Sequence, residues 1–132
     1  MNKNHQKEYP NTWVIGDIHG ANLALLQCLE RSGFDKENDL IICLGDICDG
    51  WPDTFDTFET LLSIGNLEMI LGNHDFWALQ WMTTCRQNES WLKQGGRATI
   101  KSYSNKVPAK HIKDPHNTAV PARIAAIPRY IG

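Results

Sequence analysis

Three glycine turns within the first 75 residues carry side chains suited to holding cations: Gly16-Asp17-Ile18-His19-Gly20, Gly45-Asp46-Ile47-Cys48-Asp49-Gly50 and Gly72-Asn73-His74-Asp75. Carboxylate and carboxamide oxygens together with imidazole nitrogens form a mixed donor set that suits Mn, Fe or Zn better than Ca. A single Asp or Asn in a turn means little, because both residues favour turns and helix caps in their own right. Three turns in order, all with the same chemistry, point to a metal centre.

Each turn follows a short apolar run, at Thr12 to Ile15, Asp39 to Leu44 and Leu67 to Leu71. Runs of this length, rich in Ile, Leu and Val and closed by Gly, predict buried parallel strands. Ala21 to Ser32 places Leu23, Leu26, Cys28 and Leu29 on a helix that stops at Gly33. Pro52 suits a first helical position, and Phe55, Phe58, Leu61 and Leu62 recur at helical spacing up to Gly65. Asp75 to about Arg86 predicts a third helix carrying Phe76, Leu79, Trp81 and Met82. The order β-α-β-α-β-α, with right-handed crossovers, makes the strands parallel neighbours in one α/β sheet. Ligands at the ends of successive parallel strands then converge on one crevice. Gly16, Gly20, Gly45 and Gly72 are expected to let the backbone turn sharply and approach the ions closely.

Beyond residue 86 the pattern loosens. Glu89 to Lys93 and Val107 to Lys113 predict short helical turns, Arg97 to Asn105 reads as a polar stretch, and no clear strand emerges from Pro115 to Gly132. At 132 residues the chain is one domain by length, with residues 1–11 expected as a flexible start and 106–132 as a poorly defined tail. A formal net charge of −2 argues against a general nucleic-acid or membrane-surface binder. No run approaches the roughly 18 apolar residues of a spanning helix. The polar start lacks the apolar centre of a signal peptide, so a cytoplasmic location is expected. The four cysteines form no Cys-x-x-Cys pair; Cys28 and Cys43 read as small buried hydrophobes, and Cys48 is read the same way rather than as a ligand. The five tryptophans read as core or cleft wall rather than as a base-stacking platform.

The three signatures resemble the calcineurin-like metallophosphoesterase superfamily, in particular the phosphoprotein-phosphatase type that includes bacterial serine/threonine phosphatases and symmetrical diadenosine tetraphosphatases. The phrase from Gly95 to Tyr103 resembles a stretch after the third motif in bacterial members, so the likeness spans roughly residues 12–105. The resemblance implies two divalent metal ions, Mn foremost, about 3.5–4 Å apart, which lower the pKa of bound water and clamp phosphoryl oxygens. Asp17 and His19 would hold the first ion, Asp46 would bridge both, and Asn73 would give its side-chain oxygen to the second. His74 would be the general acid that protonates the leaving alkoxide, with Asp49 accepting its other ring N–H. Asp49 also has a plainer reading, as a cap for the helix at Pro52. Asp75 matches a position that is Glu in many members and is given only a structural part.

Two features depart from the family. The second signature usually ends Asp-Arg-Gly, where Arg grips the substrate phosphate; here Gly50 and Trp51 follow Asp49, with Arg97 the candidate substitute. The metal-binding histidines of the family's later half are also missing, and His111 and His116 sit in a segment that does not match. The chain is therefore expected to be the front half of an αββα sandwich, a parallel βαβαβα sheet whose uncovered face offers a surface for self-association. The implied function is metal-dependent phosphoester hydrolysis, with a phosphoprotein or a dinucleoside polyphosphate as substrate. The alternative is a catalytically impaired relative that binds metal, phosphate or a partner. A nucleotide-binding doubly wound domain fits poorly, because no turn is a Gly-x-Gly-x-x-Gly or a phosphate loop.

Overall fold

The computed structural model describes residues 7–106 and the backbone of residues 129–130. The three apolar runs form β1 (Thr12–Ile15), β2 (Leu40–Cys43) and β3 (Leu67–Ile70), all parallel. Val14 lies opposite Ile42, and Ile42 opposite Glu68. Between the strands run α1 (Asn22–Ser32) and α2 (Thr54–Leu62), and α3 (Asn73–Thr84) follows β3. Gly33, at φ 75°, closes α1 with its N–H on the Glu30 carbonyl, the left-handed stop that glycine favours.

Right-handed crossovers between adjacent parallel strands put the helices on one face of the sheet. On that face Ile41, Cys43, Leu67 and Met69 are buried with Leu25, Phe58, Leu61 and Ala78. The opposite face is open among the described residues, where Val14 is 63% and Ile70 40% exposed. Burial on α1 falls on Leu25, with Leu29 partly covered, whereas Leu23, Leu26 and Cys28 are exposed. The expected apolar stripe of α1, and a buried Cys28, are therefore corrected: the helix turns only a narrow strip to the core.

Three further elements differ from expectation. The second helix begins at Thr54, so Pro52 stands outside its first turn. Arg97 to Lys106 is a helix, α5, rather than a polar connection. Its buried face is Thr99, Ser102 and Tyr103, at helical spacing but mostly hydroxyl in type, which hides it from an apolar pattern. Ser102 Oγ accepts the Phe55 N–H at 3.0 Å, satisfying a donor in the first turn of α2. A short helix, α4 (Glu89–Trp91), precedes α5, and Asn88 caps it by accepting the Ser90 N–H. The chain kinks between them at Gly95, φ 107°. The third difference is β4 (Arg129–Tyr130), which pairs parallel with β3 and gives the order β1-β2-β3-β4. Two residues are too few for periodicity to reveal a strand. The helix expected over Val107 to Lys113, and His5, His111 and His116, lie outside the described residues.

Candidate metal centre

Backbone bonds lock the three glycine turns together. The N–H groups of Ile18 and His19 donate to the Asp46 carbonyl at 3.0 and 2.9 Å, and Gly20 N–H donates to Ile47 O at 2.6 Å. The buried Asp75 carboxylate, from the third turn, accepts the N–H groups of Asp46, Ile47 and Gly72 at 2.7, 2.8 and 3.0 Å. His19, Asp46 and Asp49 all have left-handed backbones, at φ 49°, 53° and 73°. Such conformations are costly for non-glycine residues, and they collect at functional sites. Gly72 has an ordinary φ of −81°, but a Cβ there would overlap the Asp46 carboxylate, so the glycine serves a close approach. Gly16 has no left-handed φ, and no described atom lies near its Cβ position.

The turns bring one ligand atom each from Asp17, His19 and Asp46 within 4.8 Å of one another. His19 Nδ1 lies 2.9 Å from the Cys48 carbonyl, which only an N–H can satisfy. In the neutral ring Nε2 then bears the lone pair, and it lies 3.5 Å from Asp17 Oδ2. A backbone carbonyl that orients a metal-type imidazole in this way is a recurrent second partner of ligating histidines. No lysine or arginine among the described residues pairs with Asp17 or Asp46. Two carboxylates and an imidazole without a lysine or arginine partner fit a divalent ion. Asn73 is the exposed first residue of α3. It adjoins His74, whose backbone N–H donates to Asp46 Oδ1 at 3.1 Å. Among the described residues the Asn73 side chain makes no hydrogen bond to the cluster.

His74 packs beside this cluster, its ring 5.0 Å from that of His19 and 5.5 Å from Trp77, both edge-on. Its Nδ1 lies 2.8 Å from Asp49 Oδ2. Asp49 is buried and takes two further donors, Trp91 Nε1–H at 2.6 Å and Thr99 O–H at 2.6 Å. It makes no cap for α2. Trp91 and Thr99 escaped the sequence reading; the signal available was that a carboxylate in an apolar core must find donors, and this chain's phrase from Trp91 to Thr99 supplies them. Of the other tryptophans, Trp81 is core, Trp13 is partly buried and Trp51 is 63% exposed. Trp77 also lines a polar hollow of about 460 Å³ with Gln80 and Arg86.

The sequence matches the model of the calcineurin-like phosphoesterases over residues 10–123. The chain belongs to that family. It is 34% identical over 90 residues to serine/threonine-protein phosphatase 1 of Salmonella typhimurium, covering 68% of this chain and 41% of that protein. It is 38% identical over 66 residues to the symmetrical bis(5'-nucleosyl)-tetraphosphatase of Buchnera aphidicola, covering 49% of this chain and 24% of the other. The fold resembles a crystal structure described as a candidate diadenosine tetraphosphatase, with a TM-score of 0.56 and 19% identity over 92% of this chain and 48% of that one. The chain thus spans less than half the length of these relatives.

The second turn differs from the one the resemblance implied. Gly50 stands where a phosphate-gripping Arg was expected, at φ 107° and with its N–H on Gly95 O at 3.2 Å. A side chain there would have to adopt a backbone that L residues rarely take. Arg97 is exposed at the start of α5 and forms no ion pair among the described residues. Among the chain's thiols, burial pushes Cys43 up to about 11 and Cys48 well above its ordinary value, with the nearby Asp75 adding to both. Cys48 is thus an inert buried group beside the centre. Burial also raises the Asp75 carboxyl, while the N–H groups of Ile47, Gly72 and Asp46 pull the other way. No described helix is long and apolar enough to cross a membrane.

Proposed function

We propose that this chain carries the metal-holding part of a phosphoester hydrolase that uses two divalent ions, with Mn the best suited. Asp17, His19, Asp46 and Asn73 are the residues that would hold them. The observation that carries the reading is the convergence of Asp17, His19 and Asp46 within 4.8 Å, with His19 Nε2 freed by its Nδ1–H bond to Cys48 O. When bound, the ions supply an acidified water and positive charge against phosphoryl oxygens. The chain's own residues do the rest. Asp49 holds His74 by its Nδ1, so Nε2 is the nitrogen that gives a proton to the leaving oxygen. Trp77 walls that side of the site. The substrate is a phosphoprotein or a dinucleoside polyphosphate, the two chemistries in the names of the relatives.

Mn binding by calorimetry and hydrolysis of p-nitrophenyl phosphate test the reading. Wild type should bind Mn and turn over; Asp46→Asn should lose both; His74→Asn should keep Mn and lose hydrolysis of an alkyl phosphate, whose leaving oxygen needs a proton, far more than that of p-nitrophenyl phosphate. One observation favours a second reading, of a module that binds metal or phosphate without catalysis: a glycine occupies the place of the expected phosphate-gripping Arg. Mn binding without turnover under any divalent metal would select that reading. The open sheet face at Val14 and Ile70 also supports association with another apolar surface.

A further inference from the structure

We infer that Trp91 and Thr99 are positioning residues for His74, acting through Asp49; the inference rests on the hydrolase reading above. The hydrogen-bond inventory leaves one arrangement. Indole nitrogen donates and cannot accept, so Asp49 Oδ2, 2.6 Å from Trp91 Nε1, turns a lone pair toward it. The same oxygen lies 2.8 Å from His74 Nδ1, which carries the hydrogen because a carboxylate oxygen only accepts. Thr99 Oγ1 accepts the Asp49 backbone N–H at 2.9 Å and gives its only hydrogen to Asp49 Oδ1 at 2.6 Å. Thr54, 3.3 Å from Thr99 Oγ1, is left as a donor to it.

Both carboxylate oxygens are thus held by fully buried groups. Trp91 is fully buried against Trp81, at 5.7 Å between rings, and Gly96 sits so close beneath the indole that a Cβ would come within 2.5 Å of it. Thr99 is fully buried on α5. The segment beyond the third ligand turn therefore sets the plane and tautomer of an imidazole on α3. In the reaction, doubly protonated His74 gives its Nε2 proton to the leaving oxygen, which keeps the electron pair of the breaking P–O bond. The Nδ1 proton stays on the bond to Asp49, and the ring ends neutral with its one hydrogen on Nδ1.

A purely structural role would lower every activity together, whereas a positioning role depends on the leaving group. Nitrophenolate departs without a proton and an alkoxide does not. Trp91→Phe and Thr99→Val should lower kcat on an alkyl phosphate by about tenfold or more, clearly beyond their effect on p-nitrophenyl phosphate, with KM within about twofold. Thr99→Ser should restore the alkyl phosphatase rate. Equal losses on both substrates, or a change confined to KM, would overturn the inference. A second measurement needs no turnover: nitrogen NMR of imidazole-labelled, metal-free protein should show His74 protonated at Nδ1 in wild type and Thr99→Ser, and a tautomer mixture in Trp91→Phe and Thr99→Val. An unchanged tautomer would refute the positioning role. Should wild type turn over neither phosphate, the hydrolase reading falls, and the tautomer populations still decide this one.

Discussion

The carboxylate of Asp75 accepts the backbone N–H of Asp46 at 2.7 Å, so a residue of the third turn dictates where the second turn presents its ligand. The same carboxylate also holds Ile47 and Gly72, which makes it the common anchor of two turns. Asp75→Asn would face an amide NH₂ toward at least one of these N–H groups whichever way it flips. Buried donors left unsatisfied cost about 1–3 kcal/mol each. Urea unfolding should therefore show Asp75→Asn less stable by about 3 kcal/mol. A loss near zero would mean that the anchor is dispensable.

Metal should act as a stabiliser of this fold, because its ligands come from turns that are separate in sequence. At a concentration 100-fold above its Kd, Mn should raise wild-type stability by about 2.7 kcal/mol, and a chelator should remove that gain. Asp46→Asn should be insensitive to Mn. Its metal-free form should be no less stable than wild type, since the change relieves repulsion between two uncompensated carboxylates and keeps the Oδ1 acceptor for His74 N–H. Thermal melts with and without Mn measure both effects. A destabilised metal-free Asp46→Asn would show that Asp46 serves the fold more than an ion.

The strands and the ligand turns were legible because their signals are local. A four-residue apolar run closed by glycine, such as Leu40–Cys43, states strand and turn together, and the order of the runs then fixes a parallel sheet. Asp17, His19 and Asp46 were legible as a cluster for the same reason. What stayed hidden depends on partners far along the chain. Thr99, Ser102 and Trp91 are defined by what they donate to or accept from Asp49 and Phe55, between 42 and 50 residues away, and no periodicity records that. Leu23 and Leu26 misled in the opposite sense, since apolar residues at helical spacing can face outward when the sheet beneath is narrow. Asn73 was placed beside the centre by sequence, and the structure gives its neighbour His74, rather than its own side chain, a bond to Asp46.

Gly72→Ala isolates close approach from backbone strain. The φ of −81° suits alanine, yet its Cβ would overlap the Asp46 carboxylate and backbone N–H. Overpacking of this kind costs about 1–3 kcal/mol, and here it falls on a ligand. Mn affinity by calorimetry should drop by about tenfold or more, since displacement of one ligand is worth at least 1.4 kcal/mol. Unchanged affinity would mean that the two turns can separate without moving Asp46.

Cys43 gives the chain a stability loss in alkali with a definite window. Burial raises its thiol from 9.0 to about 11, so the folded state keeps a proton that the unfolded chain releases. With fewer protons bound in the unfolded state above pH 9, stability falls as pH rises. The contribution is complete below pH 9 and is lost progressively up to about pH 11. Two pH units correspond to roughly 3 kcal/mol. Cys48 shifts the same way, so Cys43→Val should flatten the slope of unfolding free energy against pH without abolishing it. Urea unfolding of both proteins at several pH values from 8 to 11 measures the difference, and parallel curves would rule out Cys43 as its source. Thiol labelling supplies an independent reading of the same burial: exposed Cys28 should react promptly in the native protein, while Cys43 and Cys48 should react only after unfolding.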